Sequence, residues 1–157
     1  MDFSGPNGQV SVALLTSRAD GIFLTLESLV HFDTSKTEQL KIDFGKSPSG
    51  DLPYQALLPM GNLRTLTLRE CIGAYNFVHA LHPSMNLSGV VVCPKLEELV
   101  IVLYDEGLDI KHVIGTAAAR ASRGAKLRSV RIVGRNRAVR ARRDVLEFKK
   151  HVLHVEC

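Results

Sequence analysis

Four segments of the chain share one spacing, and that spacing limits the fold more than any other feature. They are Thr37-x-x-Leu40-x-Ile42, Leu63-x-x-Leu66-x-Leu68, Leu96-x-x-Leu99-x-Ile101 and Leu127-x-x-Val130-x-Ile132. In a pleated strand, residues two apart face the same side. Each segment therefore predicts a strand with Leu40/Ile42, Leu66/Leu68, Leu99/Ile101 or Val130/Ile132 toward a core. The residues between them face the other way: Gln39, Lys41 and Asp43; Thr65, Thr67 and Arg69; Glu98, Val100 and Val102; Ser129, Arg131 and Val133. Glu97 falls at the bend before the alternation starts.

Helical signals separate the units. After the third, "LDIKHVIGTAAARASRG" (108–124) has Asp109 as a plausible N-cap and Gly124 as a stop, with Ile110, Val113, Ile114, Ala117 and Ala121 on one stripe. After the fourth, "DVLEFKKHVLHVE" (144–156) predicts a terminal helix capped by Asp144, with Val145, Phe148, Val152 and Val155 as its apolar stripe. "YNFVHAL" (75–81) is a short apolar segment, and "YQALLP" (54–59) a helical turn at most. Alternating strand and helix imply parallel strands with helical crossovers. Upstream, "MDFSGPNGQ" (1–9) reads as a flexible N-terminus. Two alternating runs around Asp20-Gly21 read as a β-hairpin over 9–29. We therefore expect a single domain over 10–157. It would be an α/β open sheet of mostly parallel strands, leucine-rich-repeat-like but irregular, with helices on one face and an N-terminal hairpin.

The offsets between units are 26, 33 and 31 residues, against ~20–29 for typical leucine-rich repeats. "NLRTLTLREC" continues that consensus to Cys71 at its Asn/Cys position, whereas Tyr104 and Arg135 stand at the equivalent sites of later units. The stretches "LRTLTLRECIGAYNFVHALHPSMNLSGVVVCPKLEELVIVLYDEG" and "AAARASRGAKLRSVRIVG" resemble the C-terminal region of fungal F-box-like leucine-rich-repeat proteins. "CPKLEELVI" and "RASRGAKL" are the most specific pieces, and the resemblance covers most of 37–157. It implies an α/β repeat domain that recruits partner proteins; in complete F-box proteins such a domain presents substrates to a ubiquitin ligase. No segment here resembles an F-box.

Charge adds a second candidate. Residues 120–150 hold twelve Lys/Arg against Asp144 and Glu147, while the rest of the chain holds eight basic and fourteen acidic residues. A +10 end thus sits on a −6 body. Arg135, Arg137, Arg140, Arg142 and Arg143 crowd into "RNRAVRARR", a run that could neutralise phosphates or act as a nuclear address but reads first as a solvated loop between strand and last helix. No aromatic residues interleave with it to stack on bases.

His151-x-x-His154-x-x-Cys157 would share one face of a continuous helix, and His79-x-x-His82 with Cys71 or Cys93 invites the same thought, but each lacks a full zinc set. No G-x-S-x-G, H-E-x-x-H or glycine-rich phosphate loop occurs. We therefore expect neither cofactor, metal nor enzymatic activity. Three cysteines without framework spacing, and no apolar run of membrane length, favour an intracellular setting, cytoplasmic or nuclear. The expected function is a protein–protein interaction module, a substrate-recruiting domain of F-box type lacking its F-box. Its binding surface would be the face bearing Lys41, Asp43, Thr65, Thr67, Arg69, Glu98, Val100, Val102, Ser129 and Arg131. The alternative is nucleic-acid binding through 135–143.

Overall fold

A computed structural model of the chain describes residues 10–15, 33–43, 51–69, 74–86, 89–103, 108–134 and 142–156. The repeated spacing forms β2 (Thr37–Asp43), β3 (Thr65–Arg69), β4 (Glu98–Leu103) and β5 (Ser129–Gly134), flanked by β1 (Val10–Leu15) and β6 (His154–Glu156). They make one open sheet in the order β1-β2-β3-β4-β5-β6, and every neighbouring pair is parallel. The described residues also form α1 (Leu52–Leu57), α2 (Ala74–Leu81), α3 (Ile110–Ser122) and α4 (Arg142–His151). Right-handed crossovers that always step the same way keep their helices on one side of a sheet. The helices accordingly pack in a row, α1 on α2, α2 on α3 and α3 on α4.

The register aligns the spacing across units. Leu40, Leu66, Leu99 and Val130 form one row, and Ile42, Leu68, Ile101 and Ile132 the next. None of the eight is more than 5% exposed. Leu57, Phe77, Val78, Leu81, Val113, Ala117 and Phe148 from the helices complete the same core. Burying each large apolar side chain stabilises by roughly 1.5–3 kcal/mol before conformational entropy is counted. The residue that opens each unit, Thr37, Leu63, Leu96 or Leu127, is buried too. The residue after it carries a backbone ladder along the bends: Arg64 N donates to Glu38 O, Glu97 N to Arg64 O and Arg128 N to Glu97 O, each at 2.8 Å.

Several expectations need correction. The terminal helix does not run to 156; it ends at His151, and the chain re-enters the sheet as β6. Val152 and Val155 therefore belong to a fifth unit, Val152-x-x-Val155, whose strand pairs with β5 through Ser129↔His154, Val130↔Val155 and Arg131↔Glu156. The physical reason is the outer edge of β5: its unpaired backbone groups gain a parallel partner, and His154 N donates to Arg128 O at 2.9 Å. Asp144 stands in the first turn of α4 rather than before it, because the helix begins at Arg142. The turn at 54–59 is a six-residue helix starting at Leu52, with Pro53 in its first turn, where a missing N–H costs nothing. The first arm of the expected hairpin is β1, parallel to β2; its second arm lies outside the described residues, as do Cys71, Tyr104 and Arg135.

Candidate functional site

All four described helices lie on the core side, so among the described residues the opposite sheet face is built from strand residues of the outward set. Its middle row runs Lys41, Thr67, Val100, Arg131 and Glu156 across β2 to β6. On one side lie Gln39, Thr65, Glu98, Ser129 and His154; on the other, Asp43, Arg69, Val102 and Val133. The expected face residues are thus brought together in three rows. Val100 and Val102 are half-buried, whereas Val133 is 47% exposed. Arg131 Nε meets Glu156 Oε2 at 2.5 Å at the β5–β6 end. The result is a small apolar patch of three valines bordered by Thr67, Arg69, Glu98 and Arg131.

A charged ridge borders this face, at the bends, and was not anticipated. Glu38, Arg64, Glu97 and Arg128 occupy the same position in successive units, with alternating sign. Arg64 Nη1 and Glu97 Oε1 are 2.6 Å apart, both well exposed. Such a pair contributes at most about 1 kcal/mol to stability. Its sequence signal was available, as E-R-E-R at the second position of the units.

On the helix side, α2 and α3 enclose a cleft of about 90 Å³ lined by Tyr75, Val78, His79, His82, Met85, Lys111, His112, Gly115 and Thr116. The Tyr75 ring meets His112 edge-on at 4.9 Å between centroids and His79 at 6.0 Å. His82 Nδ1 accepts from Ser84 N at 3.2 Å. Burial, and then the neighbouring His79, hold the His82 imidazolium below its ordinary pKa. Thr116 is buried, and its hydroxyl donates to Val78 O at 3.3 Å, tying α3 to α2. The wider groove between α3 and α4, about 400 Å³, is lined by Lys111, Ile114, Gly115, Ala118, Asp144, Glu147 and His151. Its charges are already partnered in part, since Glu147 binds Lys150 at 2.6 Å and His151 at 3.6 Å.

Among the described residues the metal constellations do not assemble. His154 is on β6 rather than on the helix with His151, and Cys157 lies outside the described residues. Cys93 is buried apart from the histidine cleft, with its Sγ donating to Leu57 O at 3.3 Å. Burial pushes its thiol up to about 12, with Arg120 opposing the shift. Among the described residues no three His, Cys, Asp or Glu are grouped to hold a metal ion. Of the arginine run, 135–141 lies outside the described residues, and Arg142 and Arg143 open α4. No helix among the described residues is long and apolar enough to cross a membrane. Comparison with protein-family models, curated proteins and solved structures finds no match for this chain.

Proposed function

We propose that this chain is a protein–protein interaction module that presents to a protein partner the sheet face opposite its described helices. The observation that carries this reading is the patch of three valines on that face, bordered by Thr67, Arg69, Glu98 and Arg131. Protein interfaces combine a desolvated apolar middle with a polar rim in this way. The resemblance of 37–157 to F-box-like leucine-rich-repeat regions supports the finer reading, a domain that recruits substrates for ubiquitin ligation. We place it inside the cell, in the cytoplasm or nucleus, a reading supported by the buried free thiol of Cys93.

The test is capture of a partner from an intracellular extract. Val100→Glu combined with Arg131→Glu should abolish capture while the far-UV spectrum stays native. Lys126→Glu, in the exposed turn after α3, should leave capture intact. If a folded double variant still captures its partner, the sheet face is not the surface. A complex whose affinity falls steeply and log-linearly with salt would instead identify nucleic acid as the partner.

A further inference from the structure

Four of the residues lining the α2–α3 cleft carry or can take a positive charge: His79, His82, Lys111 and His112; none of the lining residues is a carboxylate. The cleft offers about 90 Å³, room for roughly three water-sized volumes, which suits one small tetrahedral anion. The charged groups around it favour the same sign. From α2 come Tyr75 and His79, from the following turn His82, and from α3 Lys111 and His112. Asp109, the N-cap of α3, accepts from Lys111 N through Oδ1 at 2.9 Å and is not among the residues that line the cleft. Across α3, in the neighbouring groove, stand Asp144, Glu147 and His151, with Glu147 bound to Lys150 and His151.

Gly115 is the second observation. It sits inside α3, where glycine weakens a helix relative to alanine, yet a Cβ there would meet no atom within 4 Å. Packing therefore does not demand glycine, and Gly115 leaves open space where it lines the cleft and the neighbouring groove.

We propose that the α2–α3 cleft binds one oxyanion group of the phosphate class, free or carried on a peptide, through Lys111 and the imidazoles of His79, His82 and His112. With the cleft empty, the His82 imidazolium loses hydration and is repelled by the neighbouring His79. A bound anion removes that penalty, so binding takes up protons and tightens as pH falls.

The experiment follows the imidazole resonances of the whole chain by NMR during titration with inorganic phosphate, at constant ionic strength against chloride. Saturable shifts at His79, His82 and His112, without matching shifts at His154, are expected. Affinity for sulfate, whose charge is constant over this range, should rise about ten-fold or more between about pH 8 and about pH 5.5, and saturating phosphate should raise the His82 midpoint. Lys111→Met with His112→Gln should weaken binding about ten-fold or more at an unchanged melting midpoint, while Lys111→Arg retains it. A phosphoserine peptide binding more tightly than phosphate would mark the ligand as chain-borne, and the reverse order as free. Shifts that merely follow ionic strength, or equal binding by the folded double variant, would overturn the proposal.

Discussion

Arg120 is the residue whose chemistry most departs from its surroundings. It is fully buried in α3, and its Nη1 and Nη2 donate to Val92 O at 2.7 Å and Cys93 O at 2.8 Å. Its Nε has no hydrogen-bond partner among the described residues, and burial lowers the guanidinium's pKa. The two carbonyls lie in the loop before β4, where Cys93 takes φ 48°, so Arg120 fastens a strained turn to the helix layer. Arg120→Met should cost about 3 kcal/mol or more in urea melts, because two buried carbonyls lose their donors. Arg120→Lys should not restore it, since a single ammonium lacks the planar fork that reaches both. The neighbouring thiol, pushed up to about 12, stays protonated across the physiological range. Peptide mapping should therefore find Cys93 labelled by thiol reagents only as fast as the protein opens; rapid labelling of the native state would contradict its burial. In the adjoining strand, Leu99→Ala should cost ~2–5 kcal/mol through the cavity it leaves. Val100→Ala, on the open face, should cost well under that. His82 sets a pH dependence of definite sign. Its folded pKa is depressed, so the unfolded chain binds the extra proton. The associated stability is complete above about pH 6.5 and is lost as pH falls through the folded value. Melts of His82→Asn should show a shallower acid decline.

Among the elements, α3 shows how local chemistry defines a boundary. Asp109 accepts from Lys111 N at its start. At its end, Ala125 N donates to Arg120 O and Gly124 N to Ala121 O, a Schellman closure with Gly124 at φ +78°. Asp109→Ala should cost about 1 kcal/mol, and Gly124→Ala a similar amount through its left-handed backbone although nothing crowds the site. β6 is defined differently. Val145, Phe148, Val152 and Val155 match a helical stripe, but a separation of three is also the first step of the strand frame, as in Leu127-x-x-Val130. The competition is resolved by the edge of β5, which supplies backbone partners a longer helix would forgo. His154→Pro removes the N–H donated to Arg128 O. It should abolish exchange protection in β6 while leaving β2 to β4 protected.

For the whole molecule, sequential parallel order means that each strand pairs only with its neighbours, and each helix packs mainly on the adjacent helices. Stability in such an arrangement approaches a sum of nearest-neighbour terms, highest where a unit has partners on both sides. Amide exchange should therefore be slowest in β3 and β4 and fastest in the three-residue edge strand β6. Uniform protection across all strands would show that the sheet opens only as a single cooperative unit. The same order divides the two candidate sites: the sheet face opposite the core, and the histidine cleft within the helix layer.

The eight core-facing residues of β2 to β5, the three rows opposite them and both caps of α3 are legible in the sequence. The physical reason is that strand alternation and capping are local: spacings of two residues, or a side chain reaching the next turn, decide them. The β6 end of the outer sheet face, where Glu156 meets Arg131, was not legible, because only the open edge of β5 turns 154–156 into a strand. Nor was the burial of Arg120, whose acceptors stand 27 and 28 residues away in the chain. His79 and His112 belong to separate units, and their approach follows from packing α2 against α3. Tertiary structure decided these features because each depends on which backbone groups and faces were left without partners once the neighbouring unit had docked.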